Sequence, residues 1–577
     1  MSLPVQLWAL VTVICITIAV SYIFKRLFSR HGLPPSIPWA GCAEGKQGAF
    51  ARAKSTLLSF FRMKDVINDG YQKYSKAGKA YILPNILTGP EVIIPHSQMP
   101  WLLNQPDHIM DQNATNVQFL AGDRTMLHPR ILSDTVHKRV INREMTKWLD
   151  CYSADIVDEI TTSLDDIWGS HATIKPDLLG WKAVPLYQSL LQVIARISNR
   201  VLVGLPLCRD EGYTKSSSTF ARYVVIVATF LHLLPPSLRP IFAPIIQAFD
   251  MYHYRGIRKA IIPVIQSRII EYEFGTRPCE YKNPDYSRHN DYIQWALHDA
   301  YTHFDEESIR GRDPEFIAKR LTVLTFAAIQ SSVITITNVL FDIASSPNCI
   351  AIQSSLRTEV HGVVSSRPES EQWQRLALQS MTRIDSTLRE SMRLWGFLSR
   401  GVMKMVKKKE GITLPSGEYI PYGMKVGVTS YSAQHDEDFW HDAMRFEPFR
   451  HLEGDDGKPH AMVSTSETFM GFSHGRHACP GRFFASNQLK LLLAQIVLRF
   501  EIQLMETRPE NKWLNNSIGP PIFDTLRVRQ LNLDTADNAS VGEASNELNI
   551  SRFNVLKLDK LTEQHMDVPG RLRFTNV

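Results

Sequence analysis

Phe472-Ser473-His474-Gly475-Arg476-His477-Ala478-Cys479-Pro480-Gly481 runs straight into RFFASNQLKLLLAQIVLRF, from Arg482 to Phe500. The second part is an apolar helix-forming run, so the first part places a thiol at a helix start. Unpaired N–H groups and the positive end of the dipole favour thiolate over thiol there. Gly475 and Gly481 remove side chains on both sides of the sulfur, where a flat, bulky ligand needs close backbone approach. Pro480 suits a helix start because it has no N–H to lose.

Three readings of Cys479 compete. An isolated cysteine is most often a small buried hydrophobe, but the flanking glycines and basic residues argue against that. Zinc could use His474, His477 and Cys479, yet the second ligand pair of a structural site is missing. The third reading is a thiolate ligand to haem iron.

The rest of the chain bounds the answer. Of 577 residues, 44% are hydrophobic, 10% aromatic and 21% charged, which is a packed globular profile. The first 30 residues hold Lys25, Arg26 and Arg30 and no acid, leaving 61 basic against 58 acidic residues elsewhere. That balance, without a basic run, gives no reason to expect nucleic acid. Seven scattered cysteines without a CxxC pair speak against a disulfide framework and for a reducing compartment.

Val5 to Phe24, VQLWALVTVICITIAVSYIF, carries no charge over 20 residues and is long enough to cross a bilayer. A cleaved signal peptide would have basic residues first and a shorter apolar core. Here the basic residues follow, so a retained anchor with the body in the cytosol is expected. Leu33-Pro34-Pro35-Ser36-Ile37-Pro38 makes a stiff hinge after it. A cytosolic body makes the sequons at Asn113, Asn515, Asn538 and Asn549 chance matches.

From about residue 60 to 400 apolar residues recur at three- and four-residue spacing, predicting helices. Leu321–Leu340 is uncharged, but eight of its 20 residues are Thr, Gln, Ser or Asn, which suits a buried central helix better than lipid. Val224–Leu234 and Pro240–Ile246 are interrupted by prolines and read as core or as a flap at the membrane surface. Short strands are expected near 80–83, 91–94, 402–406 and 426–429. A small, polar composition after about residue 534 predicts a flexible tail.

FSHGRHACPG resembles the haem-binding loop of cytochrome P450 enzymes. Glu390-Ser391-Met392-Arg393 resembles the family's E-x-x-R, and Phe446-Glu447-Pro448-Phe449-Arg450 its F-x-P-x-R segment. Ala327-Ala328-Ile329-Gln330-Ser331-Ser332 sits where its oxygen-activating motif belongs. NRVLVGLPLCRDEGY (Asn199–Tyr213) and GRHACPGRFFA look like filamentous-fungal P450s of secondary metabolism. The resemblance covers about residues 5 to 530. It implies a mainly α fold with small β-sheets: an N-terminal transmembrane anchor in 1–30, a haem-thiolate catalytic domain in 31–534 and a tail in 535–577.

The same resemblance implies a haem b with Cys479 as axial ligand and Phe472, Gly475, His477 and Gly481 around it. His477 stands where most relatives place an arginine against a haem propionate, and Arg400 is a second propionate partner. Glu390 and Arg393, one turn apart on a helix, are expected to join Arg450 in a buried structural charge cluster. Gln330 and Ser331 replace the usual acid and threonine. Gln330 cannot supply protons as a carboxylic acid does, whereas Ser331 keeps a hydroxyl for bound dioxygen.

The implied activity is oxidation of a lipophilic secondary metabolite, such as a terpenoid, meroterpenoid or polyketide-derived intermediate. It would use O2 and electrons from NADPH–cytochrome P450 reductase at the endoplasmic reticulum membrane. A redox-neutral haem isomerase or dehydratase and a non-catalytic haem sensor are the alternatives. The expected lining is Pro106–Gly122, Ala221–Phe249, the central helix, Phe397–Leu398 and Ile518–Phe523.

Overall fold

The structure, a computed structural model, describes residues 3–531 apart from 44, 134–135, 170–171, 275–288, 304–305 and 455–456. The expected tail, Asn538 and Asn549 lie outside the described residues. Among the described residues helices dominate, with four small sheets between them.

The centre of the fold is the helix Pro314–Ser345, capped by the Asp313 side chain on the Glu315 N–H, with Pro314 at its first turn. By length and composition it could cross a membrane, but most of it is buried inside the protein. The helices Leu186–Leu202, Glu211–Leu233, Arg239–Phe274 and Thr382–Leu394 pack around it. The Thr322, Thr325, Ser331, Thr335 and Ser345 hydroxyls return to carbonyls one turn earlier, as Thr322 does to Ala318 at 2.8 Å, whereas the Thr337 hydroxyl is buried without a partner. That internal pairing lets an uncharged but polar helix lie in an apolar core.

The largest sheet has five strands, in the spatial order Tyr81–Leu83, Glu91–Ile93, Lys425–Thr429, Arg400–Val406, Met110–Asp111. Only the pair Glu91–Ile93 and Lys425–Thr429 is parallel, with Glu91 opposite Lys425. These are the four strands expected from the sequence plus one two-residue edge. The stretches Val224–Leu234 and Pro240–Ile246, expected as core or as a flap, fall in the second half of the helix Glu211–Leu233 and the start of Arg239–Phe274, which runs through Pro244 and Pro263; Val224, Val227, Ala228, Leu231 and Ala243 on them are buried.

The N-terminal segment is the helix Leu3–Phe28. Beyond it His31 and Gly32 both take positive φ, turning the chain so that Leu33, Ile37 and Trp39 enter the core. The Asn113 side chain donates to the Leu132 carbonyl at 2.7 Å, and Asn515 is buried, so neither sequon presents a free amide.

One buried carboxylate ties the central helix to its surroundings. Asp342 accepts from the Ser391 hydroxyl at 2.6 Å, the Trp395 indole at 2.8 Å and the Arg508 guanidinium at 2.5 Å. Replacing Asp342 with Ala leaves the Arg508 Nε and the Trp395 indole N–H without an acceptor and removes the guanidinium's carboxylate partner, although Arg508 keeps its bonds to Asn338 and Asn511. The expected loss is about 3 kcal/mol, read as a lowered midpoint of thermal unfolding, with Asp342→Asn losing less.

Candidate haem-thiolate site

The Cys479 loop is a chain of local turns. The Cys479 N–H donates to the Phe472 carbonyl at 2.9 Å, and the Ala478 N–H to Gly475 at 3.0 Å, around the short turn Gly475–His477. Gly475 has φ +77°, and a Cβ there would lie 2.6 Å from the end of the Leu103 side chain, so any other residue would be strained and would displace Leu103. The helix Arg482–Arg499 begins after Gly481. The cysteine therefore stands ahead of the helix, and Pro480 precedes the helix cap rather than filling its first turn. That corrects the expected placement of both.

A second correction concerns the charge of the sulfur. Burial pushes the Cys479 thiol up, outweighing the Gly481 N–H and the Arg482 guanidinium, which pull the other way. The helix start alone does not hold a thiolate here. A bound metal cation does so outright, because a coordinating thiol loses its proton.

The two histidines of the zinc reading are engaged elsewhere. His474 Nδ1 meets the Thr465 hydroxyl at 2.9 Å, and His477 Nε2 meets Asp107 Oδ1 at 2.9 Å. Among the described residues no three His, Cys, Asp or Glu side chains gather as a metal site. Asp107 also accepts from Arg476 at 2.8 Å. Burial would raise its carboxyl, but His477 and Arg476 hold it below the usual range. Asp107 thus anchors the loop from the segment before Met110–Asp111, and no sequence motif marked it.

Glu390 and Arg393 are completely buried on the helix Thr382–Leu394. Arg393 Nε and Nη2 donate to Glu390 Oε2 and Oε1 at 2.9 and 2.8 Å, and Arg450 Nε reaches Oε1 at 3.0 Å. Arg393 also donates to the Ala443 carbonyl at 2.7 Å. His451 Nε2 adds a further contact to Glu390 Oε2 at 3.1 Å. His451 directly follows Arg450 but belongs to no motif that would mark it in the sequence. Burial alone would raise Glu390, yet the bonds from Arg393 and His451 hold it far below the carboxylate range. Burial pushes His451 down to about 4 despite that bond.

Gln330 and Ser331 face different sides of the central helix. The Gln330 amide donates to the Tyr187 hydroxyl at 3.2 Å, away from Ser331, and its Oε1 is buried without a partner. The reason is the helical period: adjacent residues point about 100° apart. Ser331 lies on the stripe with Ala327, Ala328 and Thr335, which is open where the helix around it is mostly buried. Its hydroxyl donates to the Ala327 carbonyl at 2.9 Å, leaving its lone pairs free.

Arg400 opens the strand Arg400–Val406 and pairs with Glu91, which Lys425 also contacts at 2.7 Å. Its guanidinium lies 5.6 Å from the centre of the Phe119 ring. Its Nε is buried and unpaired. A haem fits these residues: a lone sulfur donor, a bare glycine whose Cβ would come 3.9 Å from the sulfur, and a spare buried Arg400 donor. Phe472 is partly buried against the main core.

The family model for cytochrome P450 matches residues 99–522. The chain is a cytochrome P450. It is 27% identical over 523 residues to cytochrome P450 monooxygenase polB of Polytolypa hystricis, covering 88% of this chain and 96% of that one. It is 30% identical over 470 residues to cytochrome P450 monooxygenase 103 of Postia placenta, covering 79% and 86%. Among solved structures, a retinoic acid-bound cyanobacterial CYP120A1 superimposes with TM-score 0.59 at 14% identity, over 83% of this chain and 96% of that one, which supports the fold. The chain therefore belongs with the fungal P450 monooxygenases, whose cofactor is haem iron on a cysteine thiolate.

The Glu390 cluster of this P450 sets an acid limit. A carboxylate whose folded pKa is depressed stabilises the fold above its unfolded pKa, about 4.3, and that stability is lost as pH falls. His451, held neutral in the fold, costs stability once the unfolded chain protonates, between about 6.5 and 4. His232 and His435 are pushed down to about 4 by the same burial and add to this window. Stability should fall steadily from pH 6.5 to pH 4, and His451→Gln should flatten that slope. Glu390→Ala removes the partner of two buried cations, Arg393 and Arg450, and of the neutral His451, at about 3–5 kcal/mol, so haem-loaded protein should fail to accumulate.

Proposed function

We propose that this P450 is a membrane-anchored monooxygenase that hydroxylates a lipophilic secondary metabolite of the terpenoid, meroterpenoid or polyketide-derived kind. Electrons come from NADPH–cytochrome P450 reductase, and the catalytic body faces the cytosol at the endoplasmic reticulum. The observation that carries the reading is the lone, half-buried sulfur of Cys479 in its glycine-flanked loop. Haem iron, when bound there, supplies dioxygen activation. The protein's own part is to hold the sulfur, to exclude water and to present Ser331 on the open stripe of the central helix.

The proposed anchor is the helix Leu3–Phe28. Val13, Ile14, Ile16, Val20, Ile23 and Phe24 on it are exposed, as are Phe230, Ile241 and Ile245 at the junction of the helices Glu211–Leu233 and Arg239–Phe274. The Tyr22 hydroxyl donates to the His232 carbonyl at 3.3 Å, so both apolar surfaces lie at one end of the body. Such a continuous patch is worth burying in lipid. Deleting residues 2–30 should move the protein from the carbonate-resistant membrane fraction towards the peripheral one, with haem loading intact. Full retention in the resistant fraction would count against the anchor.

Reduced protein with carbon monoxide should show the long-wavelength Soret band of thiolate ligation, and Cys479→His should lose it. Ser331→Ala should keep haem and substrate binding but lower the ratio of product to NADPH consumed, the difference leaving as peroxide. Ser331→Thr should retain coupling, because the hydroxyl survives. If Ser331 serves only its bond to Ala327, both variants will change stability slightly and coupling not at all.

A further inference from the structure

The strands Lys512–Leu514 and Ser517–Gly519 pair as a hairpin whose two-residue turn is Asn515-Asn516, with Asn515 at φ +53°. The turn lines a small recess that is partly open to solvent. Asn85 and Leu87 of the β-sheet loop line it, with Phe119, and with Thr229 and His232 of the helix Glu211–Leu233. Segments expected to line the substrate space meet here, and the hairpin turn and the Asn85 loop were not foreseen. The recess is narrow, with room for about one water-sized group and not for a carbon skeleton.

Asn516 is 1% exposed. Its Oδ1 accepts from the Ser399 hydroxyl at 3.2 Å, but its Nδ2 has no partner. An unpaired buried amide N–H costs about 1–3 kcal/mol, so a group that accepts from it is missing. The walls offer no free cation. His232 Nε2 sits 3.1 Å from the Phe119 carbonyl, which can only accept, so the ring donates there; burial pushes its pKa down to about 4, leaving it neutral. The three Lys425 donors beneath are spent on the Thr88 carbonyl, the Thr88 hydroxyl and Glu91. The recess therefore suits a neutral acceptor rather than a carboxylate or phosphate.

We propose that this recess holds one oxygen function, a hydroxyl or carbonyl, that the lipophilic substrate already carries, with the Asn516 amide N–H donating to it. This rests on the monooxygenase reading and narrows it: the enzyme acts on a compound already oxygenated by an earlier oxidation or an oxygen-retaining cyclisation. Phe119 links the recess to the proposed haem surroundings, since its ring lies under the Arg400 guanidinium. Ser517 is bridged to Leu398, two residues before Arg400.

The test uses full-length holo-protein and matched probes: decalin, 2-decalone and 2-decalol, and pregnane with its 3-ketone and 3-alcohol. Dissociation constants come from substrate-induced changes in the Soret band. In Asn516→Leu the ketones and alcohols should bind roughly two- to ten-fold more weakly, with the hydrocarbons unchanged. Asn516→Asp, nearly isosteric and without the donor, should weaken the ketones alike, and it decides if the leucine variant does not load haem. Equal effects on oxygenated and bare probes, or none, overturn the proposal and leave the recess to a bound water only. No probe binding to the wild type overturns it too. Loss of the thiolate-type band in wild-type protein would instead strike the monooxygenase reading, so the two failures are separable.

Discussion

A thiolate deep inside a protein needs positive charge beside it. Burial drives Cys479 towards the neutral thiol, and one N–H from Gly481 with the Arg482 guanidinium does not reverse that. Metal coordination does, because the cation's field acts at bonding distance in a medium of low dielectric. The local architecture follows from this. The loop must deliver one sulfur without offering competing ligands, and it must bring backbone rather than side chains close to the plane of the cofactor. Gly475 and Gly481 meet the second need. The pairing of His474 with Thr465 and of His477 with Asp107 meets the first.

A loop of ten residues cannot hold such a position alone, since each ordered residue costs about 1–2 kcal/mol of conformational entropy. Support comes from two directions. Asp107 grips Arg476 and His477 from the segment leading to the five-stranded sheet. From the other side, Glu390 gathers Arg393, Arg450 and His451, and Arg393 reaches the Ala443 carbonyl. The meander 434–451 is thereby sewn to the helix Thr382–Leu394. Because Glu390 has no exposure, each of these donors replaces a water the carboxylate would otherwise keep, which is why the cluster is all or nothing.

What could be read beforehand divides along this line. The cysteine loop, the E-x-x-R helix and the central helix were legible because their signals are local: glycine flanks, an i, i+3 pair and an uncharged run dotted with hydroxyls. The strands around residues 81, 91, 402 and 426 were legible for the same reason. Asp107, Glu91, Lys425 and Asn516 were not. Asp107 is 370 residues from His477 in the chain, and Glu91 lies 309 from Arg400. No periodicity links such pairs; only the completed packing brings them together. Arg400 shows the consequence. Read alone it is a free cation for a propionate, whereas in the fold most of its charge is answered by Glu91, and what it can still offer is Nε.

The central helix carries the same lesson into chemistry. Treating Gln330 and Ser331 as a substitute for an acid–alcohol pair assumes that sequence neighbours act together. On a helix they do not, and here the Gln330 amide lies against Tyr187 while Ser331 keeps the open stripe. Even an acid at 330 would have to leave the Tyr187 hydroxyl before reaching a proton acceptor beside Ser331. The groups that share the Ser331 stripe are Ala327, Ala328 and Thr335, and Thr335 donates to the Ser331 carbonyl at 3.0 Å. No group among these three ionises near neutrality, so in the role proposed for Ser331 protons would come along the open side of the helix, through hydroxyls and solvent, rather than from the neighbouring residue.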